Sequence, residues 1–410
     1  MNSNGTVLSR VSRGGNARRV GASAWAVGVW CLFVVAMAVM AIVRPGRPIT
    51  HIYRDAVLDW WSSVPVYTEG IHGFLYFPSS AVLLGPLAAL PLEVGDQLWR
   101  LVMVAVFSGA VYRVAALLHP NMGRTLAAWV LVAAIPTASI NILRGQCELI
   151  MMSVVLHAAV DLARGHDRRG GRMLALAVAL KPLALVPALL FAGVRPGVRR
   201  PLALGLLVAL LAPFLHPDPG YVAGQYAAMI GKLAIAAAPD SGRWFDLTRL
   251  LAEAGVQPAY ATMTGLRIAG ALLVAGIAWA GVRRLDHATG VMVTLMLGAW
   301  YLVLFNPRTE EGSYLSIAVL TTLAAVVEHR RPRAGALPML LGLAVVGLGL
   351  HVYGGWFYRP TQMWLKQALT LALLGYPVWL VATRRSLLPL RVTGAADRPH
   401  ADHPQATPAG

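Results

Sequence analysis

Two carboxylates, Asp55 and Asp59, lie four residues apart in the segment "HIYRDAVLDWW" at residues 51–61. This spacing places both side chains on one face if the segment is helical. A carboxylate at a water–lipid boundary can act as a general base on a hydroxyl group, and a guanidinium such as that of Arg54 can hold a phosphate. The pattern fits a reaction between a lipid phosphate ester and a hydroxyl acceptor, but the same residues could also simply solvate an interfacial helix.

The composition places this segment in a membrane protein. The chain has 410 residues, of which 57% are hydrophobic and 13% are charged, whereas about a quarter of the residues are charged in soluble domains. Successive apolar runs of roughly 18 or more residues have the length needed to cross a bilayer. We therefore predict an all-α polytopic membrane protein. The first run, residues 24–43, is long and lacks a small-residue cleavage site, which argues against a cleavable signal peptide.

The net charge of +17 is better explained by membrane topology than by nucleic acid, because Lys and Arg collect in cytoplasmic loops. No basic stretch resembles a nucleic-acid-binding module, so no nucleic-acid partner is expected. The two cysteines, Cys31 and Cys147, do not have the spacing of a zinc site, and no phosphate-binding glycine loop is present. We expect neither a bound metal nor a cofactor.

Positive charge also predicts the topology. A common cytoplasmic location for the arginine clusters requires about ten spans, with the runs at 77–92 and 173–193 not crossing. The second run contains Lys181–Pro182, and a lysine inside the bilayer costs about 2.5–3.5 kcal/mol. We interpret it as a broken helix that enters and leaves on the cytoplasmic side, with Lys181 away from the outer site, at the inner leaflet; a tilted span with Lys181 facing a polar cavity is the alternative. The expected spans are 24–43, 98–118, 125–143, 149–163, 201–216, 266–282, 288–305, 312–328, 335–353 and 364–383. The arginine clusters are Arg10/Arg13/Arg18/Arg19, Arg164/Arg168/Arg169/Arg172, Arg195/Arg199/Arg200, Arg283/Arg284, Arg330/Arg331/Arg333 and Arg384/Arg385/Arg391.

This topology divides the chain into a cytoplasmic tail at 1–23, a membrane domain at 24–383 and a disordered cytoplasmic tail at 384–410. The long external loops are 44–97 and 217–265, and "DAVLDWWSSV" and "GYVAGQYAAMIGKLAIAAA" within them predict short interfacial helices. Ionisable residues that converge at one membrane face indicate a functional site. The external segments contain Arg144, Glu148, Lys232, Asp240, Arg308, Glu310 and Glu311 among others.

Several blocks resemble a known family in their order along the chain. They are "IYRDAVLDWWSSVPVYTEGIHGFLYFP", "SINILRGQCELIMMSVVLHAA", "LALAVALKPLALVPALLF", "GYVAGQYAAMI" and "FNPRTEEGSYL". Together they resemble glycosyltransferase family 87, most sharply at Tyr53, Pro65/Tyr67, Tyr76/Pro78, Gly145/Gln146 and Lys181/Pro182. The resemblance covers roughly residues 52–320.

The resemblance implies a GT-C-type bundle of about 10–12 transmembrane or re-entrant helices with amphipathic helices in its external loops. It further implies inverting transfer of a hexose, most often mannose, from a polyprenyl-phosphate donor to the hydroxyl of a lipid or glycan acceptor. The expected location is a bacterial inner membrane, with the site on the extracytoplasmic side. The lipid-linked sugar and membrane lipids are then the expected partners.

Family members usually carry an aspartate that acts as the general base shortly before the loop tyrosine. That position is near Ile49 in this chain, whereas Asp55 follows Tyr53. Glu148 stands where asparagine is common. The expected base is Asp55, with Asp59 and Glu148 as further catalytic candidates. Arg144 and Gln146 could equally anchor a helix end, and Asn306 and Arg308 could shape a turn. The expected substrate-binding residues are His51, Tyr53, Arg54, Tyr76, Arg144, Gln146, Lys181, Asn306 and Arg308.

Two other interpretations remain open at the level of sequence. A transporter or flippase of lipid-linked sugars would explain the broken helix, because discontinuous helices form transporter sites. It would also require ionisable residues near the midplane and matching broken segments in two halves. A non-catalytic membrane scaffold would explain the missing aspartate at the usual position.

Overall fold

A computed structural model describes residues 4–238, 243–332 and 335–388, with side chains described from residue 23 onward. The expectations for Asp240, Arg333, Arg391 and the tail at 389–410 lie outside the described residues. The described part of the chain is predominantly helical and contains no strand. This confirms the predicted all-α polytopic class.

The helices follow one another with short connections. In chain order they are α1 Asn4–Val43, α2 Thr50–Trp61, α3 Pro78–Ala88, α4 Leu92–Leu118, α5 Gly123–Arg144, α6 Cys147–Ala163, α7 Asp167–Leu180, α8 Leu185–Val194, α9 Pro196–Leu211, α10 Pro219–Ala237, α11 Leu247–Glu253, α12 Tyr260–Arg284, α13 His287–Phe305, α14 Leu315–His329, α15 Leu337–Leu348, α16 Gly355–Thr361, α17 Leu365–Leu373 and α18 Gly375–Thr383.

Eight helical stretches among the described residues are long and apolar enough to cross a membrane. They are Ser23–Val43, Leu92–Leu118, Pro120–Arg144, Pro196–Leu215, Tyr260–Arg284, His287–Phe305, Glu311–His329 and Leu365–Thr383. They correspond to eight of the expected spans. The expected spans 149–163 and 335–353 are instead the shorter helices α6 and α15, of 17 and 12 residues.

The two runs predicted not to cross also form short helices. The first becomes α3, which has only 11 residues and contains Pro86. The second breaks at Lys181, where α7 ends and a 3-10 turn at Pro182–Ala184 leads into α8. Arg195, just after α8, pairs with Asp167 at the start of α7, at 2.5 Å between Nη2 and Oδ1. The two helices therefore form a hairpin that enters and leaves at the same end of the bundle.

That end gathers several of the arginine clusters, and we call it the basic end. Asp161 near the end of α6 pairs with Arg113 and, at 3.1 Å, with Arg169. Glu328 near the end of α14 lies 3.3 Å from Arg331 and 3.7 Å from Arg385. Charge placement of this kind is typical of a cytoplasmic face. We call the opposite end of the bundle, where α5 meets α6, the site end.

The turn from α5 to α6 is fixed by side chains of α4. Gly145 has φ +68° and lies between the two helices. The Arg100 guanidinium donates to the carbonyls of Ile142 and Leu143, both at 2.9 Å, and the Trp99 indole donates to the Gly145 carbonyl at 2.9 Å. These donors satisfy carbonyls that the end of a helix would otherwise leave unpaired.

Helix α10 holds the extended chain that follows α2. The Tyr221 hydroxyl donates to the carbonyl of residue 64 at 2.6 Å, and Gln225 accepts from the amide of residue 66 at 3.0 Å. The Lys232 ammonium donates to three carbonyls of the segment 68–72 at 2.5–2.7 Å. Side chains on one helix therefore fix the loop that leads to Tyr76.

We expect Gly145→Ala to destabilise the protein more than Gly165→Ala. Both glycines have positive φ, which costs an alanine about 1–2 kcal/mol. A Cβ at Gly145 would also lie 2.5 Å from the Thr50 Cγ2, whereas nothing lies within 4 Å of a Cβ at Gly165. Thermal unfolding of the purified variants measures the difference. Equal melting temperatures would show that the contact with Thr50 is easily relieved.

Candidate active site

The site end is organised around the N-terminus of α6. The Cys147 amide, the first of this helix, donates to the Tyr53 hydroxyl at 3.1 Å. The Tyr53 and Tyr76 hydroxyls lie 3.2 Å apart, with the two rings edge to face. Burial raises the pKa of both tyrosines well above 10.0, so both phenols remain protonated. Tyr53 thus links α2 and the Tyr76 loop to the start of α6.

The first turn of α6 also carries an ion pair with the hairpin tip. The Lys181 Nζ lies 2.5 Å from the Glu148 Oε2 and 5.8 Å from the centre of the Tyr76 ring. Glu148 is in the first turn of α6, where the helix dipole favours a negative charge. The expectation that Lys181 lies away from the outer site was wrong, because the break in the helix is at the tip of the hairpin, beside Glu148.

The segment between α13 and α14 approaches the same turn. The Gln146 amide donates to Glu310 at 2.7 Å, and the Asn141 amide donates to the Gly312 carbonyl at 2.9 Å. A Cβ at Gly312 would lie 2.6 Å from the Asn141 side chain, so this close approach depends on glycine. Glu310 is thereby placed next to the α5–α6 turn.

Arg308 precedes Glu310 in this segment and has unused hydrogen-bond donors. Its guanidinium lies over the Trp244 ring at 4.7 Å. Glu310 and Tyr76 are close enough to interact electrostatically with its charge. Burial lowers the pKa of Arg308, while the Glu310 carboxylate opposes the shift. The buried Nε and Nη1 atoms have no hydrogen-bond partner among the described residues. Buried donors are nearly always paired, so this guanidinium has hydrogen-bonding capacity that the described residues do not use.

These residues form a mixed cluster of carboxylates, cations and phenols. We call it the polar cluster. It can hold a phosphate on its cations and accept a proton on a carboxylate, which are the two functions expected from the sequence. Its members are Tyr53, Tyr76, Gln146, Glu148, Lys181, Arg308 and Glu310.

The two aspartates of α2 lie on a different face. Tyr53 and Trp60 are buried, while Asp55 is exposed and Asp59 is half-buried. Burial, together with the nearby charge of Asp55, raises the pKa of Asp59 above 3.8. Asp55 and Asp59 are therefore neighbours, as their spacing predicted. The structure does not bring either of them into the polar cluster, and their catalytic roles stay predictions.

Two further expected substrate-binding residues of α2 also lie apart from the polar cluster. His51 is exposed. Arg54 turns towards the end of α3, where its Nη2 donates to the Leu90 carbonyl at 3.4 Å. No described hydrogen bond or ion pair joins either side chain to Glu148 or Lys181.

Arg144 and Asn306 each take part in a local contact with the backbone, and their substrate-binding roles stay predictions. The Arg144 carbonyl accepts from the Ile49 amide at 2.9 Å, which joins the start of α2 to the end of α5. The Asn306 side chain accepts from the Arg308 amide at 3.3 Å. This second contact matches the alternative in which Asn306 shapes a turn.

Several polar residues at the site end were not expected to form part of it. Asp96 of α4 binds the Thr50 hydroxyl and the Arg100 guanidinium, and its four-residue spacing from Arg100 is the signal that could have revealed this pair. Glu310 was noted only as an external residue. Its pairing with Gln146 depends on a contact between segments 164 residues apart, which local sequence patterns do not contain.

A second buried group lies beside the segment between α13 and α14. Lys366 of α17 is fully buried, 3.3 Å from the His351 ring and 5.6 Å from the centre of the Tyr314 ring. Tyr358 donates to Glu311 nearby. Lys366 was not among the expected site residues, because the apolar run at 364–383 predicted a simple span. A lysine inside an apolar span was the available signal.

The fold and the site together define a multi-pass membrane protein with a polar site at one end of its bundle. A sequence model of glycosyltransferase family 87 matches residues 74–307. This match covers more than half of the chain, and the chain belongs to glycosyltransferase family 87. A search of curated proteins finds no significant match. The protein is therefore a membrane glycosyltransferase, and this assignment favours an enzyme over the transporter and scaffold interpretations.

We expect Asp59→Asn to stabilise the protein at pH 7. The pKa of Asp59 is higher in the folded protein than the ordinary value of 3.8, so its ionisation opposes folding as the pH rises through the folded pKa. The advantage of the variant should shrink as the pH falls towards 4, where the wild-type carboxyl becomes protonated. Melting temperatures between pH 4 and 7 test this. Glu69→Gln, which neutralises an exposed carboxylate, is the control and should not reproduce the trend.

Proposed function

We propose that this glycosyltransferase moves a hexose, with mannose as the first candidate, from a polyprenyl-phosphate donor to a hydroxyl group of a lipid or glycan. The proposed location of the site is the extracytoplasmic face of a bacterial inner membrane, opposite the basic end. The main support is the pair of unpartnered, buried nitrogens of Arg308 beside a cluster that also holds the Glu148–Lys181 pair. A phosphate-bearing substrate would complete the hydrogen bonding of this guanidinium.

We propose Glu148 as the general base. Its side chain is 15% exposed and lines a narrow cavity with Asn306, Ser313 and Ser316, so an acceptor hydroxyl can approach it. The ion pair with Lys181 and the first turn of α6 fix the position of this carboxylate. Asp55 is the alternative from the sequence, but it lies on the exposed face of α2.

In the proposed reaction the acceptor oxygen attacks the anomeric carbon while Glu148 takes the hydroxyl proton. The bond between the anomeric carbon and the phosphate oxygen breaks, and its electron pair leaves with polyprenyl phosphate. Arg308 and Lys181 would stabilise the negative charge that grows on this phosphate. Fixed cations in a poorly solvated site are effective in this role because water does not screen them. Attack from the side opposite the phosphate inverts the anomeric configuration.

We expect Glu148→Gln to reduce sugar transfer by about 10²–10⁴-fold, the usual contribution of a general base. Asp55→Asn and Asp59→Asn are the matched controls and should keep most of the activity. The assay uses membranes with equal amounts of each variant and labelled polyprenyl-phosphate mannose. Loss of transfer only in Asp55→Asn would instead assign the base to the exposed face of α2. A wild-type protein without transfer would contradict the proposed donor.

We expect Arg308→Lys to lower kcat/KM for the donor by at least about tenfold, because lysine keeps the charge but loses the planar, paired donors of arginine. Arg243→Lys is the control, since Arg243 is exposed and directly precedes Trp244, the residue whose ring Arg308 lies over. Steady-state rates at varied donor concentration provide the measurement. Equal values for the two variants would argue against a phosphate contact at Arg308.

A further inference from the structure

A large groove lies on the surface of the bundle, away from the polar cluster. It runs between α3, α7 and α9 and has a volume of about 660 Å³. Most of its wall is apolar, and side chains such as those of Leu83, Leu176, Leu204 and Val208 line it. All four are exposed, and an exposed apolar surface on a membrane helix is suited to contact with lipid chains.

One end of this groove is strongly basic. Arg168 and Arg172, which are four residues apart on α7, line it together with Arg200 of α9. All three are exposed, and none of them forms a hydrogen bond or an ion pair with another described residue. Their neighbours differ, because Arg169 and Arg195 pair with Asp161 and Asp167. Three uncompensated guanidinium groups therefore lie together at the basic end of an apolar channel.

We propose that this groove binds an anionic phospholipid, whose phosphate lies on Arg168, Arg172 and Arg200 and whose acyl chain follows α7 towards α3. Arginines bind phosphate through paired hydrogen bonds, and basic pockets between membrane helices bind the head groups of anionic lipids. The ligand must combine a negative charge at one end with a long apolar body, as the groove itself does.

The length of the groove fits one leaflet of the membrane. The lining residues of α7 extend from Arg168 to Ala179, which corresponds to a helical rise of about 17 Å. One leaflet contributes about half of a hydrocarbon core of about 30 Å. The lipid is distinct from the proposed sugar donor, because the donor phosphate belongs with Lys181 and Arg308 at the opposite end of the hairpin. Bound lipid would hold α7 against α9 and so support the hairpin that carries Lys181.

The test compares lipid binding to the purified, delipidated full-length protein. Phosphatidylglycerol and phosphatidylcholine are added in detergent, and bound lipid is counted by mass spectrometry while the melting temperature is recorded. We expect phosphatidylglycerol to bind and to raise the melting temperature more than phosphatidylcholine, because a ligand of the folded state stabilises it. The triple variant Arg168→Gln/Arg172→Gln/Arg200→Gln should bind phosphatidylglycerol at least about tenfold more weakly, since each lost paired contact weakens binding.

A matched triple variant, Arg164→Gln/Arg283→Gln/Arg284→Gln, removes three positive charges near the basic end but outside the groove, and it should bind phosphatidylglycerol as the wild type does. Leu204→Trp fills the groove, keeps its arginines and should also weaken binding, which provides a test if the first triple variant does not fold. If both triple variants bind phosphatidylglycerol equally weakly, net surface charge explains the effect, and the proposal is overturned. Undiminished binding to Leu204→Trp, equal binding of phosphatidylcholine, or displacement of the lipid by polyprenyl phosphate would also overturn it.

Discussion

The site depends on how the chain satisfies its backbone polar groups at the turn between α5 and α6. Inside a membrane protein such groups need partners from the protein itself. Arg100 donates to the last carbonyls of α5, Trp99 donates to the Gly145 carbonyl directly after it, and the first amide of α6 donates to Tyr53. Because these partners come from α4 and α2, the same bonds that complete two helix ends also hold the first loop in place. Glu148 is one residue further along α6, so its position follows from this turn.

Charge balance explains why the polar cluster is suited to an anionic substrate. Burying a charge is costly unless a partner compensates it. Lys181 is compensated by Glu148, and Gln146 donates to Glu310. Arg308 retains buried nitrogens without an acceptor among the described residues. At the basic end the situation is different, because the buried acids Asp161 and Glu328 are each paired with arginines. The acids at the basic end are therefore paired within the bundle, whereas the Arg308 guanidinium in the polar cluster keeps unused hydrogen-bond donors.

The hydropathy of the sequence predicted most of the helices, the break at Lys181 and the helical state of the loop segments that form α2 and α10, because local periodicity and proline determine these features. It could not predict which way α2 faces, since the burial of Tyr53 and Trp60 against other elements turns Asp55 outward. The sequence could not predict the position of Glu310 either, because the contact of Glu310 with Gln146 joins distant parts of the chain. Lys181 was assigned to the wrong place for a related reason: the hairpin was recognised, but the depth reached by its tip depends on packing.

The lengths of two helices predict that the site is recessed into the membrane. Helix α6, which carries Glu148, has 17 residues, and α7, which ends at Lys181, has 14. Both helices have one end at the basic end of the bundle and extend about 25 Å and 21 Å from it. A hydrocarbon core is about 30 Å thick, so we expect Glu148 and Lys181 to lie below the opposite membrane surface. Non-helical backbone at such depth is tolerated only where protein covers it or a cavity adjoins it. The loop held by α10 and the segment around Arg308 provide that cover. In a recess of this kind the cations act on a phosphate with little screening, and a lipid-linked substrate can reach them from within the bilayer.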